Sequence, residues 1–239
     1  SVLLLVLLAL AVTRRLQLDA FEAVQLSAVL DEITTLTRAV IDGLYPAPFG
    51  GPVTALPPLP DRVVQIRWPS SPRILRQVDL PGLIGMARNA DAAIRLRVTP
   101  GELIRENAVV LEIWDPGGTL NPETLLRRLV VGIDRNFTQD PLLGFRLLND
   151  IALRALSAAV NDPATAVQAL DAIEGLLQVL VVRDLEIGVI TDDTGIPRVL
   201  LDDTDWATFL AAGTDEIACI PLHPIVNRRL RTLLEQLLA

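Results

Sequence analysis

The chain has no lysine, one cysteine, one histidine and one methionine among its 239 residues, and only 4% of it is aromatic. Each scarcity removes a class of chemistry. Without lysine there is no attachment point for biotin or lipoate, so a carrier role is excluded. Cys219 stands alone, so neither an internal disulfide nor a thiolate zinc site can form. His223 sits singly between Leu222 and Pro224, where a lone histidine is more often structural than a ligand or base; this argues against His-based triads and Cys–His dyads, and a single histidine excludes a His-rich metal centre. Any metal site would be made of carboxylates and would suit Mg²⁺ or Ca²⁺. No motif implies a cofactor or a metal. All 21 basic residues are arginine, which codon usage in a GC-rich genome explains more simply than selection for anion binding. The net charge of -8 argues against a nucleic-acid partner, because phosphate binding needs a basic surface.

What the chain does have is apolar mass. Half of it (51%) is hydrophobic, which excludes disorder by composition, and its length suits one large domain or two small ones. Val2–Val12 is an unbroken apolar run followed by Thr13, Arg14 and Arg15. A membrane span needs roughly 20 apolar residues, so this run is about half of one. Three readings compete: the inner half of a transmembrane helix, a signal peptide cleaved near Ala9-Leu10-Ala11, or a buried core helix. The charge follows the apolar run instead of preceding it, which favours the first reading and makes Arg14 and Arg15 the cytoplasmic edge. Apolar positions continue at Leu26, Val29, Ile33, Leu36, Val40 and Leu44, one stripe of a helix that Pro46 and Pro48 would end near Tyr45. That stripe could pack on the chain's own domain or on a second copy, making residues 26–44 a candidate homo-oligomer contact.

Residues 46–60 are rich in Pro and Gly and read as a linker. Arg62–Trp68, Ala93–Val98 and Val109–Trp114 have strand texture, and Leu80–Asn89 reads as a short helix with Pro81 in its first turn. Pro100–Leu111 (PGELIRENAVVL) has the form of a hairpin with a glycine turn. The unit predicts a small β-sandwich or barrel without chemistry of its own.

Asx-Pro pairs recur at Asn121-Pro122, Asp140-Pro141 and Asp162-Pro163. The acidic or amide side chain caps the first turn, and proline fits the first helical position at no hydrogen-bonding cost. Helices are therefore expected at about 122–131, 141–158 and 163–183, the last two as an antiparallel hairpin. Leu185–Thr191 and Ile196–Leu201 predict a β-hairpin with Gly195 at positive φ. Asp205–Ile217, capped by Thr204 or Asp203, and Ile225–Leu238 predict two further helices. The acidic residues Asp192, Asp193, Asp202, Asp203 and Asp205 do not have EF-hand spacing and read as turn caps.

Within residues 139–171 lie Gln139-Asp140-Pro141, Gly144-Phe145-Arg146, Asp150-Ile151-Ala152, Arg154-Ala155-Leu156-Ser157, Asn161-Asp162-Pro163 and Thr165-Ala166. This series resembles the signature of the predicted bacterial membrane protein family called domain of unknown function 2254. It departs from that signature at Ala158, where proline usually follows the serine, a difference that bears on the bend between the two helices. The resemblance covers nearly the whole chain, including the PGE hairpin and the helix ending at Tyr45-Pro46. It implies several membrane helices upstream and no established activity.

The expected fold class is α+β. It comprises a membrane-exit helix (1–45), a linker and small β domain (46–118) and a mainly helical domain (119–239) with a helical hairpin and one β-hairpin. Two polar groups are candidate sites. Asp150, Arg154, Ser157, Asn161, Asp162 and Thr165 gather at the helical bend. Arg135, Gln139, Asp140 and Arg146 lie toward the other end of the first helix, since a rise of about 1.5 Å per residue separates Asp140 from Asp162 by roughly 30 Å. The expected location is the inner membrane, with the lipid bilayer as partner of the first helix and the soluble part in the cytoplasm. The expected role is a binding or regulatory domain gating ions or small solutes. The alternatives are an enzyme with Asp150 or Asp162 as base and Arg154 as anion clamp, or a structural scaffold whose caps and ion pairs explain the same residues.

Overall fold

The computed structural model describes residues 2–49, 63–115, 117–202, 204–220 and 223–237. Helix α1 (Val2–Leu44) is a single 43-residue helix that runs through Arg14 and Arg15 without interruption. It stops where expected: Pro46 has no N–H to donate and drives Tyr45 out of helical geometry. Among the described residues, no helix is long and apolar enough to cross a membrane. The stripe expected from spacing is only partly the buried one. Leu30, Ile33, Thr37, Val40 and Ile41 are buried, whereas Val29 and Leu36 are 45% and 40% exposed. The helix is rotated so that its best-packed line is centred on Ile33, Thr37 and Ile41.

The β unit is built from two sheets and two short helices. Its first strands are β1 (Val64–Arg67), β2 (Arg73–Val78), β3 (Ala93–Leu96), β4 (Leu103–Ile104) and β5 (Val109–Trp114), and its first helix is α2 (Leu80–Asn89). Asp79 caps α2 by accepting from Gly82 N at 3.0 Å, and Arg128 holds the other carboxylate oxygen at 2.7 Å. Together these pull the Asp79 carboxyl below its usual range, the backbone bond contributing most. Helix α3 (Pro122–Leu126) starts on Asn121 as expected but has only five residues. The helix expected over 122–131 is thereby corrected, since Leu129–Gly132 is strand β6, antiparallel to β2. A β-branched pair, Val130-Val131, beside an unfilled sheet edge outweighs a helical continuation.

The remaining elements are α4 (Leu142–Ala155), α5 (Pro163–Leu180), β7 (Val189–Thr191), β8 (Pro197–Leu200), α6 (Trp206–Ala218) and α7 (Pro224–Leu237). The hairpin β7–β8 turns at Gly195, whose φ of +80° fits the expectation. Strand β8 also pairs in parallel with β3, giving a five-stranded sheet in the order β1-β5-β3-β8-β7; the smaller sheet is β4-β2-β6. Strands from both sides of residue 118 thus share both sheets. Neither sheet closes on itself, and both line one core with Leu75, Ile94, Leu111, Leu125 and Val199 inside. Of the expected linker 46–60, residues 50–60 lie outside the described residues, as does Arg62 of the first strand.

A second core joins α1, α4, α5, α6 and α7. Phe209 is its hub, edge-on to Tyr45 at 6.1 Å and tilted against Phe145 at 5.5 Å. Helices α1 and α4 meet so closely at Gly144 that a methyl group there would overlap the Thr37 hydroxyl. That hydroxyl is turned back onto Ile33 O at 2.6 Å, which satisfies it inside the crossing. Helix α6 is capped by Asp205, not by Thr204: Thr208 N donates to its carboxylate at 2.8 Å. Asp203, the other expected cap, lies outside the described residues.

Candidate functional site

The bend between α4 and α5 is a well-satisfied turn. Asn161 adopts φ +48°, and its N–H donates to Ser157 O at 2.8 Å, while Asp162 N donates to Ala155 O at 2.8 Å. Asp162 then caps α5, accepting from Ala164 N (3.1 Å), Thr165 N (3.2 Å) and the Thr165 hydroxyl (2.6 Å). These bonds, the Thr165 hydroxyl foremost, hold its carboxyl below the usual range despite some desolvation. A general base working near neutrality needs a shift in the opposite direction. Asp150, Arg154 and Ser157 are exposed, and Arg146, Asp150 and Arg154, spaced four apart along α4, make no ion pair with one another. The bend therefore brings Asn161, Asp162 and Thr165 together with the Ser157 backbone, without drawing the Arg154 guanidinium in.

The other polar group is a compact buried cluster. Asp140 is 1% exposed, and its carboxylate receives Arg135 in a bidentate grip, Nε to Oδ2 at 2.6 Å and Nη2 to Oδ1 at 2.8 Å. Leu143 N, in the first turn of α4, also donates to Oδ1 at 3.2 Å, so Asp140 caps the helix from one residue further out than the Asx-Pro pattern implies. The Gln139 amide lies against the end of β2 as a strand would: Val78 N donates to its Oε1 at 2.8 Å, and its Nε2 donates to Val78 O at 3.2 Å. Gly101, at φ +89°, is pressed onto this cluster; a Cβ there would lie 2.6 Å from Arg135 Nη2 and closer still to Asp140 Oδ2. Its N–H donates to Leu75 O at 2.7 Å, fixing the PGE turn to β2. Arg146, grouped with these residues by sequence, is exposed and stands apart.

Gln139 and Asp140 form one wall of a cavity of about 90 Å³ between the two cores. Leu44 and Tyr45, at the end of α1, form another wall; Thr99-Pro100 and Leu201-Asp202 close the rest. Sequence reasoning missed these walls, although it had singled out the QDP and PGE motifs separately, because nothing local says that the two meet. Among the described residues no group of three or more His, Cys, Asp or Glu side chains could hold a metal ion. The acidic turns are occupied by protein groups instead. Asp192 accepts from the Thr194 hydroxyl, Arg198 and two backbone N–H groups, which together hold its carboxyl far below the usual range.

Fold and site together define a mixed α+β module hung from one long helix, with a buried junction at the far end of that helix. The chain belongs to the family described as predicted membrane protein, DUF2254, whose model matches residues 3–236. It is similar to uncharacterised proteins of Mycobacterium bovis and Mycobacterium tuberculosis, each 29% identical over 203 residues. Those alignments cover 82% of this chain and 39% of the relatives, so the chain spans well under half the length of the curated proteins it matches. No solved structure matches the chain significantly.

Proposed function

We propose that this chain is the cytoplasmic part of an integral membrane protein and that it regulates the passage of ions or small solutes through the membrane-embedded part. One observation carries the reading: a single unbroken helix begins in the apolar run and ends as a wall of the junction cavity. At 1.5 Å per residue that helix is about 65 Å long, enough to link a bilayer to a site well outside it. Arg14 and Arg15 are exposed where the positive-inside rule would place the cytoplasmic edge. A change in packing around Leu44 and Tyr45 acts directly on the helix that enters the membrane.

The test is flux from liposomes containing the full-length protein, with a cavity-filling Leu142→Phe variant beside the wild type. The wild type should exceed empty liposomes, and the variant should change the rate at least about threefold, which corresponds to roughly 0.6 kcal/mol. Flux equal to that of empty liposomes would refute the transport reading. Cys219 is exposed, so an impermeant thiol reagent should reach it in inside-out vesicles alone. Val29 and Leu36, seven residues apart on the outer face of α1, offer a parallel contact to a second copy. Light scattering in detergent should find an oligomer that Leu36→Glu weakens; a monomeric wild type would remove this contact from the proposal.

A further inference from the structure

We infer that the junction cavity is a binding site for a small, uncharged, mainly apolar molecule. The proposal deepens the functional reading above and rests on it for the consequence of binding. A cavity of about 150 Å³ accommodates benzene, so the 90 Å³ here suits a guest of about four non-hydrogen atoms. Its walls are mostly aliphatic, with Leu44, Leu96, Val98 and Leu142 among them.

The charged groups on those walls are already engaged within the protein. Asp140 is bound on both oxygens by Arg135, and Asp202 faces Arg95 at 2.9 Å and Arg97 at 3.6 Å. The Gln139 amide uses its oxygen and its nitrogen on Val78. A charged guest would meet no free counter-charge and would be desolvated without compensation, whereas a neutral one leaves these pairs intact. The site is also preformed. Gly101 packs against the Arg135–Asp140 pair, so the Thr99-Pro100 wall cannot collapse inward without breaking it. A guest filling the void would hold the end of α1 against the β unit.

The experiment uses the full-length protein in lipid nanodiscs with labelled Leu and Val methyl groups. It is titrated with 1-propanol and, separately, with its charged counterparts propylammonium and acetate. Saturable shifts at Leu44, Leu96 and Leu142 are expected with 1-propanol, and binding of either ion should be more than about tenfold weaker. Leu142→Phe should abolish the response, and Ile187→Phe, filling the void from another wall, gives the same test if the first variant misfolds. Non-saturating shifts, equal binding of either ion, or an unchanged response in a folded filled variant would each overturn the proposal. Saturable binding in a protein with no flux would leave the ligand site standing and sink the transport reading alone.

Discussion

At the residue scale, the bend and the buried cluster differ in what their side chains cost to lose. Asp162 satisfies three donors at the start of α5, so Asp162→Ala should destabilise the protein by about 1 kcal/mol in urea titrations. Arg154→Ala removes an exposed side chain from the same bend and should stay within about 0.5 kcal/mol. A larger loss for Arg154 would reveal an ion pair that the folded chain makes no visible use of. Asp192 gives a pH dependence whose sign follows from its lowered folded-state pKa. The unfolded carboxyl titrates near pH 4, so the stabilising contribution is complete above about that pH. It is lost progressively as pH falls toward the folded value. Asp192→Asn should therefore flatten the acid limb of a stability-versus-pH curve and lower its neutral plateau. An unchanged acid limb would mean that other carboxylates control it.

At the element scale, α1 and α4 cross closely at Gly144. Gly144 leaves no room for a methyl group beside Thr37, whose side chain is fully buried. Gly144→Ala should cost about 1–3 kcal/mol through overpacking, against the few tenths to 1 kcal/mol gained from better helix propensity. Thr37→Ala should restore part of that loss when combined with it, a coupling that a double-mutant cycle in denaturant measures directly. Purely additive effects would show that the crossing relaxes without strain. The same joint explains why the expected stripe on α1 was partly misassigned. Spacing identified a helix with an apolar side, but the small Gly144 draws Thr37 to the centre of the contact and leaves Leu36 outside.

At the scale of the whole molecule, the proposed membrane attachment through α1 makes the direction of α4 a prediction of which end would face the bilayer. Asp140–Leu142 share the cavity with Leu44–Tyr45, and Gly144 meets Thr37. Helix α4 therefore runs antiparallel to α1 and carries its bend back toward the apolar start of that helix. With α4 about 21 Å long over its 14 residues, Val160 at the bend and Ile133 beyond the other end should differ in depth by about that distance. Both are exposed enough to label, at 56% and 78%. In a Cys219→Ser background, Val160→Cys should be quenched by headgroup-labelled lipid more strongly than Ile133→Cys. The reverse order would invert the orientation derived from α1.

Local chemistry determined much of this protein on its own. The absence of lysine and the single cysteine and histidine restricted the chemistry, and Pro46 set the end of α1. Asn121 and Asp162 started helices where they stand, because capping acts over two or three residues and is written in adjacent positions. Gly195 likewise marked its own turn. Only the tertiary structure decided what depends on partners distant in the chain. Leu129–Gly132 became a strand because β2 was there to pair with it, β8 joined a sheet begun a hundred residues earlier, and Asp140 left the role of simple cap for a buried pair with Arg135 beneath Gly101. Of the two polar groups named from the sequence, the bend satisfies its members locally, whereas Gln139 and Asp140 line a cavity whose other walls meet only when both cores are formed.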